Sequence, residues 1–197
     1  MSDVCCKCDA SGKSDQIDLA QFAMRRRWTG SHGSELMAYP VETDGDDVWI
    51  PGYDSGSGQW HVGLEWDEPR DIRRVAVCFA DSCGIPSDLK VQYWRKNWPT
   101  PGPERRPGAR RGWIGVDDAF HGEWVTVRAA KTVSGPGCEF VFDPIDLGEV
   151  GRGSGADQLV QAADYLARFR RTLKIRVLAG GEEQPRITGV HAYSDAQ

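Results

Sequence analysis

The sequence predicts an all-β protein, an antiparallel sandwich with one short helix near residues 157–169. Three observations carry this expectation. Apolar and polar residues alternate with a period near 2 in several runs. The clearest is Gln59–Phe79, where Trp60, Val62, Leu64 and Trp66 share one face and Ile72, Val75, Val77 and Phe79 carry the next apolar load. The runs recur without the strand–helix alternation of a parallel sheet. The segments between them are punctuated by Gly and Pro, as in sandwiches with many turns.

Residues 1–15 are small and polar without periodicity and read as a tail, which leaves 16–197 as a single domain. Gln16–Met24 carries Ile17, Leu19, Phe22 and Met24 and fits an edge strand or a short helix. Arg25, Arg26 and Arg27 then run into Trp28 and a Gly/Ser-rich loop. Residues 38–58, with their carboxylates, glycines and aromatics, read as a long structured loop. Within Gln59–Phe79 the charged, proline-containing link Asp67–Asp71 predicts a turn between two strands. Ser82–Pro86 is a further turn.

Asp88–Arg95 reads as a strand, with Leu89, Val91 and Tyr93 on one face and Lys90, Gln92 and Trp94 on the other. A basic, proline-rich loop follows to Arg111, longer than compact domains usually carry without a role. Glu123–Ala129 reads as a strand, as does the run of Cys138, Phe140 and Phe142, which Asp143-Pro144 ends. Over 157–169, Leu159, Ala163, Leu166 and Arg170 fall near one helical stripe, with Asp157 in the first turn to complement the dipole. Arg171–Ala179 directs Leu173, Ile175 and Val177 inward and Lys174 and Arg176 outward. Gly180-Gly181 turns the chain into a last strand, Arg186–Tyr193.

At 197 residues the chain can bury a core without metal or disulfide staples. Its 24 basic and 29 acidic residues give no general nucleic-acid footprint. No apolar run approaches the roughly 20 residues of a membrane-spanning helix. The first residues lack the apolar stretch of a signal peptide, so the expectation is an intracellular chain or a piece of a longer exported one. Cys5, Cys6 and Cys8 lack the second spaced pair of a zinc site. Cys78 and Cys83 flank a short loop and are either a disulfide or two buried thiols. The four histidines fall in no metalloprotease pattern, and no nucleophile elbow, phosphate loop or dinucleotide fingerprint is present.

Four stretches together resemble the discoidin-like, galactose-binding-like family (the coagulation factor 5/8 C-type domain). Ile17-Asp18-Leu19-Ala20 is similar to its opening strand, and Asp44-Gly45-Asp46-Asp47-Val48-Trp49 to its acidic loop. Trp60–Leu64 with Ile72–Val75 resembles its adjacent central strands, and Leu173–Val177 with Pro185–Tyr193 its closing hairpin. The resemblance spans roughly residues 16–194. It implies a jelly-roll whose end loops bind sugars, lipids or proteins, commonly as a non-catalytic module of a larger carbohydrate-active or cell-surface protein, outside the cell. It also implies a structural calcium at Asp44, Asp46 and Asp47. Many members carry a glutamate where Gly189 stands here, and a solvated turn explains the same aspartates.

Sugar rings present C–H faces to aromatic planes while Arg, Asp or His bind their hydroxyls. The candidate carbohydrate-binding residues are therefore the loop aromatics Trp28, Tyr53, Trp98 and Trp113, with Arg95 and His121. Trp60, Trp66 and Trp124 lie on alternating strands, where core packing is the expected role. The basic loop, with Arg95, Lys96, Arg105, Arg106, Arg110 and Arg111, fits an anionic polysaccharide, and a merely solvated loop fits it as well. The expectation is a non-catalytic glycan-binding module, bound to other domains of a longer chain. The alternatives are a protein-interaction sandwich without a sugar site and a small glycan-processing enzyme.

Overall fold

The computed structural model describes residues 16–30, 36–80, 84–96, 122–145 and 168–195. These form two antiparallel sheets packed face to face. Sheet A runs β11 (Ala129–Ser134), β12 (Gly137–Phe142), β8 (Arg74–Phe79), β14 (Ile187–Asp195), β5 (Trp49–Ile50) and β4 (Glu42–Thr43), and β1 (Gln16–Asp18) also pairs with β14. Sheet B runs β10 (Gly122–Thr126), β9 (Lys90–Lys96), β13 (Arg170–Gly180), β7 (Gln59–Ile72), β2 (Met24–Thr29) and β3 (Met37–Pro40), and β6 (Gly52–Asp54) also pairs with β7. The chain passes repeatedly from one sheet to the other, in the manner of a jelly roll.

Between the sheets lies one core. Val62, Leu64 and Trp66 of β7 and Ile175 and Val177 of β13 meet Val75, Val77 and Phe79 of β8 and Val190 and Ala192 of β14. The alternation anticipated along these strands is what supplies this core, since residues two apart point to the same side. The three strand readings at 88–95, 138–142 and 171–179 match β9, β12 and β13.

Several local expectations are corrected. The link Asp67–Asp71 is no turn, because β7 continues through it. Thr172 of β13 pairs with Arg70 and Lys174 with Glu65, so Leu173 alone faces the four residues Trp66–Pro69. The extra residues are absorbed as a bulge, which lets the strand bend without ending. β7 and β8 are not neighbours in one sheet: the chain crosses the core at Arg73, and the two strands face each other. The closing hairpin is likewise no hairpin, since β13 lies in sheet B and β14 in sheet A. Residues 38–58 are not one irregular loop but hold parts or all of four short strands, β3 to β6. The strand expected over Glu123–Ala129 is two, because β10 ends at Thr126 and β11, in the other sheet, begins at Ala129.

Gln16–Met24 combines both of its readings. After β1, the Asp18 carboxylate accepts from Ala20 N at 2.9 Å and caps a single 3-10 turn, Leu19–Phe22. The same carboxylate meets His191 Nδ1 at 2.7 Å, joining the opening segment to β14. Burial alone would raise the Asp18 pKa. The hydrogen bonds from His191 and the two backbone amides outweigh that and hold it below the ordinary value. The helix expected over 157–169 lies outside the described residues except for Arg168 and Phe169, which have no regular structure. Cys138 is a buried thiol, and Cys83 lies outside the described residues.

Ile175 is fully buried at the centre of sheet B. Ile175→Ala is expected to lower unfolding stability by about 2–5 kcal/mol, read by urea denaturation. A loss well below that range would mean the two sheets collapse around the cavity.

Candidate functional site

On sheet B, residues that alternate with the core-facing ones point away from the other sheet. The registers align them in rows. One row runs Thr126, Gln92, Arg176, Gly63 and Arg26. Beside it, on the two sides, lie Lys90, Leu178 and His61, and the paired Trp124 and Trp94 with Lys174 and Glu65. Trp28 projects to the same side from β2.

Three strands separate β2 from β10, so a flat sheet would hold them roughly 19 Å apart. Yet the rings of Trp28 and Trp124 are 5.2 Å apart and nearly perpendicular. The outer face is therefore concave, and an indole from β2 meets one from the edge strand β10 over it. Trp94 packs edge-on against Trp124 at 5.3 Å. Gly63 leaves the floor beside Arg176 without a side chain, and its strand is so close to β13 that a Cβ would lie 2.1 Å from the Ile175 carbonyl oxygen.

On this face sit two polar groups that water barely reaches: His61 is 1% exposed and Arg176 6%. The Arg176 guanidinium lies 4.2 Å from the Trp124 ring centre and donates through Nε to Gln92 Oε1 at 2.8 Å. Its Nη1 has no hydrogen-bond partner, and neither Nδ1 nor Nε2 of His61 has one. Nearby carboxylates are engaged elsewhere. Glu65 binds Arg26 at 2.7 Å and Lys174 at 3.5 Å. Asp54 accepts from Ser57 Oγ at 2.6 Å and Gly56 N at 3.0 Å. Among the described residues no carboxylate forms an ion pair with Arg176.

The electrostatics follow from burial. Desolvation, reinforced by the Arg176 charge, pushes the His61 pKa down to about 4 against a weaker pull from Asp54, so the imidazole is neutral near pH 7. It then offers one donor and one acceptor. Desolvation also lowers Arg176, to about 9, and the field of Asp54 compensates only in part. Buried polar groups are nearly always paired, and here three atoms without a partner belong to two side chains of one face.

The residues singled out by sequence fall differently. Trp28 is not in a loop; it is buried on β2 and roofs the concave face. Tyr53 is 38% exposed on β6, with its ring 4.6 Å from Trp60. By strand parity this pair is on the core-facing side of sheet B, at its end, and does not join the Trp28 group. Arg95 pairs with Glu123 and is likewise on the side opposite Trp94. Trp98, Trp113 and His121 lie outside the described residues. Trp124, expected in the core, is half-buried on the outer face, because its β10 position alternates with core-packed Val125. Arg176 does point outward, as expected, but is covered rather than solvated.

The acidic loop is closed by its own backbone. Asp44 Oδ1 accepts from Asp46 N at 3.0 Å and Val48 N at 3.1 Å. Asp46 reaches Arg186 at 3.6 Å, and Asp47 holds a left-handed φ of 59°. Among the described residues no three His, Cys, Asp or Glu side chains stand together as a metal-binding group.

Two outcomes are expected from the buried pair. The folded His61 pKa lies below the unfolded value, so the unfolded chain takes up the proton first as pH falls. Stability therefore declines between pH 6.5 and about 4, by on the order of 3 kcal/mol. His61→Leu should flatten urea-measured stability across that window; an unchanged slope would assign it to another group. Arg176→Met removes a buried charge without an ion pair and should leave the thermal midpoint equal or higher. A clear fall would make Arg176 a structural residue.

No family model matches the chain. Nor does any curated protein match it. Among solved structures it is similar to one described under "Unravelling the multiple functions of the architecturally intricate Streptococcus pneumoniae beta-galactosidase, BgaA", with 15% identity and a TM-score of 0.42 over 94% of this chain and 95% of that one. At that score the likeness assigns neither family nor activity.

Proposed function

We propose that the protein is a non-catalytic carbohydrate-binding module and that the concave face of sheet B is its binding surface. One observation carries the reading: three buried polar atoms of His61 and Arg176 stand without partners on the face that carries a group of indoles. Sugars combine apolar ring faces with hydroxyls that both donate and accept. Trp94 and Trp124, both half-buried, offer the stacking planes. Neutral His61 offers the matching donor and acceptor. Entry requires the Trp28–Trp124 contact to part, and an edge-on aromatic pair is worth only about 0.5–1.5 kcal/mol.

A hydrolytic role has less support at this face. A glycosidase needs one carboxyl held protonated opposite a second carboxylate. Asp54 instead lies below its ordinary pKa because of the Ser57 hydroxyl bond, and Glu65 is paired with two cations. Calcium, suggested by the pattern of Asp44, Asp46 and Asp47, would brace that loop and take no part in sugar contact. The protein-interaction reading is favoured by one other observation: Met24, Met37 and Tyr39 are exposed along the β2–β3 edge of sheet B.

A glycan array of neutral and acidic polysaccharides tests the main reading, and absence of binding by the folded protein would favour the interaction module. Once a ligand is found, Trp124→Ala should weaken it about tenfold or more, while Tyr53→Ala should not. The reverse result would move the site to the sheet end. For calcium, a chelator should lower the thermal midpoint, since an ion bound only to the native state must stabilise it; an unmoved midpoint removes the ion.

A further inference from the structure

We propose that the group seated at Arg176 is a carboxylate, so that the ligand of the concave face is a uronic-acid-containing glycan. This rests on the glycan-binding reading above and narrows it. The face gathers Arg26, Lys90, Lys174 and Arg176 against Glu65 and Asp54, four positive charges against two negative. Among the described residues neither carboxylate forms an ion pair with Arg176. Glu65 is shared by Arg26 and Lys174, and Asp54 is held by Ser57 and Gly56.

Arg176 is thus a cation largely removed from water, bonded to a neutral amide and set against an indole face, with the field of Asp54 compensating its charge only in part. Buried charges in proteins are paired, because leaving one without a counter-charge is costly. A neutral sugar would satisfy the hydrogen-bonding gap at Nη1 but not the charge. A carboxylate satisfies both, through the strong charge-assisted bond that guanidinium forms with it. Burial lowers the Arg176 pKa, and the charge of Asp54 offsets that only in part. His61 has no charge to add near pH 7 and can donate to the carboxylate's second oxygen or to a ring hydroxyl. Gly63 lets β7 lie close against β13 beside Arg176.

The test uses the intact protein, with its own tryptophan fluorescence and calorimetry as readouts. The probes are oligosaccharides of galacturonic, glucuronic and mannuronic acid, their fully methyl-esterified forms, neutral glucans and galactans, and poly-L-glutamate. At least one acid form should bind about tenfold or more tightly than its ester. Arg176→Met should erase that preference while the thermal midpoint is retained. Equal binding of acid and ester, or binding of neutral glycans alone, overturns the carboxylate and leaves the glycan reading standing. Binding of poly-L-glutamate as tight as that of the uronides overturns the sugar. No binding by any probe overturns both readings together.

Discussion

The pairing of β7 with β13 is the constraint on which the molecule depends. Side chains on a strand have a period of 2, so the register of this pair decides which residues face the core and which face outward. Val62, Leu64, Ile175 and Val177 enter the core only because His61, Gly63, Arg176 and Leu178 then point the other way. A slip of one residue in either strand would exchange the two sets, placing an imidazole or a guanidinium among aliphatic side chains. The apolar core therefore enforces the polar cluster opposite it. The bulge at Leu173 shows where the register does change, and it does so beyond the last of these residues.

Much of the fold was legible because burial of one sheet face writes itself into alternate positions. β9, β12 and β13 could be read almost residue by residue. The short strands β3 to β6 could not, since two to four residues do not establish a period. Proline at Pro40 and Pro51 and glycine at Gly45 and Gly52 look like punctuation either way. Asp67–Pro69 misled for a related reason. Charge and proline mark turns in most chains, but here they mark a bulge on a strand held by neighbours on both edges. Which strands share a sheet was also beyond local pattern, because β7 and β8 each satisfy it alone and only the packing of two sheets separates them.

The concave face was half legible. Strand parity alone places Gln92 and Trp94 on one side of β9 and Lys174 and Arg176 on one side of β13, which is a polar and aromatic stripe away from the core. A histidine between Trp60 and Val62 is a similar sign. Curvature was missing. Without it, Trp28 and Trp124 belong to strands separated by three others, and nothing in their spacing of almost a hundred residues suggests contact. Arg176 then reads as an ordinary solvated arginine. Curvature converts it into a buried one, and the same bend converts two separate tryptophans into a roof.

The placement of β14 has a consequence for how the chain is made. This strand lies late in the sequence, yet it is the partner of β8, β5 and β1 in sheet A. Every pairing of sheet B, by contrast, is complete once β13 exists. The central pairs of the two sheets, β7 with β13 and β8 with β14, both join distant parts of the chain, so the core between the sheets cannot close until β13 and β14 are made. Contacts of such long sequence separation close slowly. Until then the core-facing residues of the earlier strands lack their central partners in both sheets, the stage at which chaperones and aggregation compete for such chains.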